Sequence, residues 1–115
     1  MTKEEKALQK FFKILSDTNR FKIFLHLAKS EECVCNIAKK LGLEQTLISH
    51  HLQTLREVGI ILDRKVGTWV YCSLNKKKIE EIEKLQQKII NSKNIADKTC
   101  VSHDLCRQLT KQYEK

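Results

Sequence analysis

The stretch ECVCNIAKKLGLEQTLISHHLQTLREVG, residues 32–59, decides the fold. Its first part has apolar residues at helical spacing and ends at Gly42, where glycine permits a sharp turn. A second helix is predicted to begin near Glu44, with a polar face outward and an apolar stripe inward. The predicted inward residues are Ile37, Ala38 and Leu41 in the first helix, and Ile48, Leu52 and Leu55 in the second. A short helix, a glycine turn and a polar-faced helix predict a helix-turn-helix.

Two amphipathic helices are predicted before this unit, one from Thr2 to Leu15 and one that ends near Lys29. Ser30 is expected to cap the helix that carries Cys33 and Cys35. The apolar positions expected to repeat are Ala7, Leu8, Phe11, Phe12 and Leu15 in the first helix, and Phe21, Phe24, Leu25 and Ala28 in the second.

Two β-favouring runs follow Gly59, residues 60–65 and 68–74, and predict a hairpin that is a candidate wing. Helical spacing of apolar residues returns from Lys76 to Asn91, in a helix suited to pairing with a partner subunit. We therefore predict a mainly α fold with a small β-hairpin wing, a dimeric winged helix-turn-helix. Residues 1–91 form the DNA-binding and dimerisation domain, and residues 92–115 a cysteine-containing C-terminal extension.

Composition points to a polyanionic partner. The 115-residue chain has a formal charge of +8 and a pI near 9.3, which suits nucleic acid or an anionic membrane surface. No apolar run approaches the length of a membrane span, and the Lys-rich start lacks the apolar core of a signal peptide. We expect a cytoplasmic protein with no membrane partner.

The outward face of the second helix of the motif carries side chains that donate and accept hydrogen bonds at base edges. Two basic residues on the wing suit phosphates, which set register and affinity. The alternative is a solvated helix face without a ligand, and His51 is expected to pack inside. The DNA-binding candidates are Gln45, Thr46, Ser49, His50, Gln53, Arg64 and Lys65.

Five cysteines, at positions 33, 35, 72, 100 and 106, are an odd number and fit free thiols in a reducing compartment. Thiolates select thiophilic ions. Residues i and i+2 lie about 200° apart around a helix, so chelation by Cys33 and Cys35 is predicted to require a loosened helix start. Cys72 alternates with Val70 and Leu74 and is predicted to pack inside the wing.

Two thiolates do not complete a trigonal or tetrahedral site, so a further ligand is needed. Cys100 or Cys106, or both, is predicted to supply it from the same or the partner subunit. Three alternatives stay open: Cys100, His103 and Cys106 form a separate site, the tail is unrelated to the switch, or Cys33 and Cys35 simply pack as small apolar residues.

Four blocks of sequence resemble the ArsR/SmtB family of metal-responsive repressors: residues 15–20 (LSDTNR), the Cys33-Val34-Cys35 helix, residues 45–59, and the wing residues 64–71. The resemblance implies a homodimer, binding of double-stranded operator DNA by the fourth helix and wing, and release when the inducer binds. The inducer it implies is a thiophilic metal or metalloid: arsenite, cadmium, lead or zinc. The chain departs from the family pattern at Thr18, where proline is frequent, and at Ala38, where arsenite-type members commonly have a third cysteine.

The main rival is a repressor of the same fold whose thiols sense oxidants or persulfides. A thiol-disulfide enzyme is disfavoured because Cys33-Val34-Cys35 lacks the Cys-x-x-Cys spacing. A metal-storage or protein-interaction module would leave the polar helix face and the wing unexplained. No nucleophile and base pair indicates catalysis, so we expect no enzyme.

Overall fold

The computed structural model describes residues 1–92, which form five helices and a three-stranded sheet. This arrangement confirms the predicted fold class. The helices are α1 (Lys3–Leu15), α2 (Thr18–Lys29), α3 (Val34–Leu41), α4 (Gln45–Glu57) and α5 (Lys76–Ser92). The strands are β1 (Glu32–Cys33), β2 (Ile61–Val66) and β3 (Trp69–Leu74).

The turn between α3 and α4 forms as the glycine predicts. Gly42 adopts φ +65°, a left-handed conformation that a side chain disfavours. The N–H groups of Gly42 and Leu43 donate to the carbonyls of Lys39 and Ala38, which satisfies the end of α3. The predicted inward stripe of α4 is confirmed, since all of its members are at most 1% exposed: Ile48, Leu52 and Leu55.

Helix α2 buries a different face from the one predicted, because Ile23 and Leu27 are its buried residues and Phe21 and Leu25 are nearly half exposed. In α1 the predicted residues Phe11 and Leu15 pack against the core beside the buried Ile14. Helix α2 carries apolar residues on more than one face, so periodicity alone could not select the face that meets the core.

The prediction that Ser30 caps the helix of the cysteine pair is wrong. Ser30 ends α2, and Cys33 occupies the N-cap position of α3. The intervening residues form β1, which pairs antiparallel with β3 in the strand order β1-β3-β2. The segment that carries the first thiol is therefore an edge strand of the wing sheet.

Helices α1 and α5 pack together, and Lys88 of α5 pairs with Glu4 of α1. Ile82 of α5 is buried, but Phe12 of α1 is 49% exposed. Within residues 1–92, no helix combines the length and apolarity needed to cross a bilayer.

Candidate thiol site and nucleic-acid interface

Cys33 and Cys35 bring their sulfur atoms to 3.1 Å from each other at the junction of β1 and α3. Cys33 has an extended backbone (φ −72°, ψ 142°) and precedes the helix, whereas Cys35 lies in its first turn. The 200° separation applies only when both residues are helical. The premise that both cysteines lie in regular helix is therefore wrong, and the sulfurs meet with the helix start intact.

The contact between the two thiols shifts their pKa values in opposite directions. The hydrogen bond with Cys35 lowers the pKa of Cys33, helped by backbone N–H groups of Cys35 and Asn36 at the start of α3. The same hydrogen bond, together with desolvation, raises the pKa of Cys35. The contact therefore favours ionisation of one thiol of the pair over the other, and a thiolate is a soft ligand.

Glu32 holds the thiol segment in place. Its carboxylate accepts hydrogen bonds from Lys40 Nζ (2.8 Å), Asn36 Nδ2 (3.0 Å) and the backbone N–H of Cys33 (3.2 Å), and it lies 3.4 Å from His26 Nε2. Hydrogen bonding by Lys40 and then Asn36 lowers the pKa of Glu32 to about 2. The contacts connect β1 to both α2 and α3.

Within residues 1–92, no cluster of three His, Cys, Asp or Glu side chains suited to a metal occurs. Cys72 is fully buried, as predicted, and its thiol donates to Asp63 Oδ1 at 3.3 Å. Burial, followed by that contact, raises the pKa of Cys72 to about 12. Cys100, His103 and Cys106 lie outside the described residues.

The polar face of α4 is exposed at all five positions predicted to contact DNA: Gln45, Thr46, Ser49, His50 and Gln53. His51 is 7% exposed and packs inside, as predicted. Its pKa is lowered by desolvation, which keeps the buried ring neutral. The face is therefore a polar surface on a firmly packed helix.

One open cleft of roughly 570 Å³ brings the two predicted sites together. It lies between α4 and the wing, and Cys33 and Cys35 form part of its wall. The predicted DNA-binding residues Gln45, Ser49, Gln53 and Lys65 line the same cleft, together with Trp69. The thiol pair and part of the predicted DNA-binding face of α4 thus line the same cleft.

Sequence reasoning missed Arg56 and Asp63, which connect α4 to the wing. Arg56 Nε lies 2.6 Å from Asp63 Oδ2, and Arg56 Nη1 donates to Gln53 Oε1 at 2.8 Å. Both residues line the cleft. Their pairing crosses two elements, so it has no fixed spacing in the chain that could have revealed it.

The two basic wing residues differ in their surroundings. Lys65 is exposed and lines the cleft. Arg64 instead donates to Glu31 through Nη2 (2.5 Å) and Nε (3.2 Å), and its guanidinium lies 5.2 Å from the ring centroid of Tyr71. Arg64 is therefore already engaged by a carboxylate in the isolated chain.

A family model described as bacterial regulatory protein, arsR family, matches residues 17–62, which span α2 to the start of β2. The arsenical resistance operon repressor of Escherichia coli (strain K12) is 38% identical over 99 residues, covering 77% of this chain and 85% of that protein. An arsenic resistance transcriptional regulator of Pseudomonas putida is 46% identical over 65 residues, covering 56% of this chain and 51% of that regulator. The match thus spans about half the length of that relative.

Solved structures share the fold. A homodimeric winged helix-turn-helix DNA-binding domain from Mycobacterium bovis superposes with a TM-score of 0.61 at 26% sequence identity. The match covers 78% of this chain and 82% of that chain.

Proposed function

This protein belongs to the ArsR family of bacterial regulatory proteins, and we propose that it is a repressor that releases its operator when a thiophilic metal or metalloid binds Cys33 and Cys35. The observation that carries the proposal is the shared cleft, because both cysteines and three of the predicted DNA-binding residues of α4 line it. An ion held there lies against the surface that meets DNA. The named relatives that regulate arsenic resistance support this assignment.

Operator recognition is assigned to the exposed face of α4, placed in the major groove. Glutamine, serine and histidine side chains donate and accept at base edges and so carry sequence information. Lys65 and Arg64 on the wing are assigned to phosphates, which position the protein without reading sequence. The full proposed α4 set is Gln45, Thr46, Ser49, His50 and Gln53.

A homodimer is proposed to form through the apolar surface of α1 and α5. Phe11, Phe12 and Leu15 of α1 and Ile79 and Ile82 of α5 line one mostly apolar depression. Phe12 is 49% exposed in the single chain, which leaves apolar area to bury against a second copy. A two-fold dimer places two copies of α4 about 34 Å apart, facing successive major grooves of a near-palindromic operator.

The inducer site is proposed to use both thiols and at least one further sulfur. With metal–sulfur bonds of about 2.3 Å, two sulfurs of a tetrahedral zinc site lie about 3.8 Å apart. The observed 3.1 Å therefore needs to open by less than about 1 Å. Cys100 or Cys106 of the extension at residues 92–115 is proposed to complete the site, from the same or the partner subunit. Arsenite, cadmium, lead and zinc are the candidate ions.

The fold gives the ion two routes to the DNA surface. Cys33 lies opposite Tyr71 in the β1–β3 ladder, so an ion that displaces Cys33 would also shift strand β3 of the wing. Cys35 belongs to α3, which packs on α4. Allosteric coupling typically amounts to about 1–3 kcal/mol, which corresponds to roughly 5–150-fold weaker operator binding.

A thiol-redox or persulfide-sensing repressor is the second candidate, because sulfurs in contact are also placed to react with each other. Oxidation would change the same cleft without an ion. The two functions differ in what reverses them: a dithiol chelator competes for the ion, whereas a sulfur–sulfur bond needs a reductant.

The test uses reduced, metal-free protein and a fluorescent duplex that carries the operator upstream of its own gene. Arsenite, cadmium, lead and zinc are titrated separately while anisotropy reports DNA release and ultraviolet charge-transfer absorption reports sulfur ligation. Release that accompanies charge-transfer absorption supports the proposal. Release only by peroxide or polysulfide, with no effect of any ion, supports the redox candidate instead.

A further inference from the structure

Glu31 and Arg64 form a two-point ion pair on the wing side of the molecule. Glu31 lies between α2 and β1, and Arg64 lies in the middle of β2. The Nη2 and Nε groups of Arg64 donate to the two carboxylate oxygens of Glu31, at 2.5 and 3.2 Å. The Arg64 side chain is 58% exposed and the Glu31 side chain 34% exposed, so solvent and other anions reach the pair.

The pair is not needed to hold the wing together. The ladder between β1 and β3 already fixes β1 in the sheet, and β2 pairs with β3 along its whole length. The ion pair of Arg56 and Asp63 separately connects α4 to β2. An exposed ion pair adds little to stability beyond such contacts, so its position on the DNA-binding wing calls for another role.

We propose that Glu31 competes with the DNA backbone for Arg64, so that operator binding transfers the guanidinium from a carboxylate to a phosphate. The inference rests on the proposed DNA-binding function. The planar fork of arginine fits a phosphate as well as it fits a carboxylate. Because the existing pair is exposed and weak, a phosphate can displace Glu31 at small cost. Glu31 thus lowers the affinity for any DNA and makes binding depend more on base contacts.

The test is NMR of the arginine Nε–H groups of the ¹⁵N-arginine-labelled full chain, recorded free and bound to operator duplex. We expect the Arg64 signal to shift on DNA binding as its acceptor changes from a carboxylate to a phosphate, whereas the signal of Arg20, whose Nε–H donates to the carbonyl of Ile14, stays in place. An Arg64 signal that does not move in the complex overturns the proposal. Wild-type protein that fails to bind the duplex at all refutes the DNA-binding function itself.

A matched pair of variants gives an independent measurement. Glu31→Gln is expected to tighten binding to operator and to unrelated DNA alike by about 2–5-fold, the range of a weak exposed pair. The slope of log K against log salt should change little, because Arg64 neutralises a phosphate in both proteins. Glu81→Gln makes the same charge change at an exposed residue of α5 and should not tighten binding. Unchanged or weaker binding by Glu31→Gln contradicts the proposal.

Discussion

The sulfur of Cys33 contacts the sulfur of Cys35 at 3.1 Å, although the first residue belongs to a strand of the wing and the second to the helix that supports α4. An ion bound to both sulfurs would therefore act on the wing sheet and on the helix that packs against α4.

Replacing Gln45 and Ser49 together by alanine should weaken specific operator binding by at least about 30-fold, since good base contacts contribute about 1–3 kcal/mol each and two are lost. Both side chains are exposed, so the fold should remain intact. Operator anisotropy measures the loss, and circular dichroism checks the fold. Gln87→Ala on the exposed face of α5 is the control. Wild-type affinity in the double variant would show that α4 does not read the operator.

The thiols should differ sharply in reactivity at pH 8. The Cys33–Cys35 pair should react with iodoacetamide faster than Cys72, because the contact between the two thiols lowers the pKa of Cys33 and Cys35 is partly exposed. Cys72 should remain unmodified in the folded protein, since it is buried with a pKa of about 12. Peptide mass spectrometry measures each rate, with denatured protein as the reference for full reactivity. Fast labelling of Cys72 in native protein would contradict the core assignment.

Glu32→Gln should lower the free energy of unfolding near neutral pH by about 1–3 kcal/mol, because charge-assisted hydrogen bonds are lost. The carboxyl has a pKa of about 2 in the fold and 4.5 ordinarily, so its contribution is present above pH 4.5 and disappears as the pH falls toward 2. The difference between wild type and variant, measured by urea unfolding, should shrink over that interval. A difference that stays constant with pH would argue against the ionised carboxylate as its source.

Much of the fold follows from local signals. The apolar stripe of α4, the left-handed Gly42 and the alternation around Cys72 are each decided within a few residues of sequence, and each agrees with the structure. Such patterns are reliable where one face is apolar and the other polar. Helix α2 lacks that contrast, because Phe21 and Ile23 lie on different faces, and only the tertiary packing selects Ile23.

The geometry of the thiol site could not be predicted in the same way. Strand β1 has two residues and exists only because β3 provides a partner 40 positions farther along, opposite Glu32. That pairing makes Cys33 extended, so its sulfur lies beside the sulfur of Cys35 instead of on the opposite side of a helix. The pairs Arg56–Asp63 and Arg64–Glu31 likewise join distant elements, so their contribution to the DNA surface emerges only from the fold.

Phe12→Glu should shift the protein from dimer to monomer and weaken operator binding, because a charge would be buried in the proposed α1–α5 interface. We expect the dimer dissociation constant to rise at least about tenfold, equivalent to 1.4 kcal/mol. Phe12 is 49% exposed in the single chain, so the monomer should fold. Leu62→Glu, at a similarly exposed apolar residue of β2, is the control for sedimentation. Equal association of both variants would place the interface elsewhere.

The most direct test of the central claim compares wild type with Cys35→Ser in one experiment that follows operator anisotropy and ion-dependent absorption during arsenite addition. The sequence contains one tryptophan, Trp69, which lines the cleft and reports its occupancy by fluorescence. We predict that wild type releases the operator as arsenite–sulfur absorption grows. Cys35→Ser should bind DNA normally and fail to release it. If Cys35→Ser dissociates at the wild-type arsenite concentration, the switch does not depend on the Cys33–Cys35 pair.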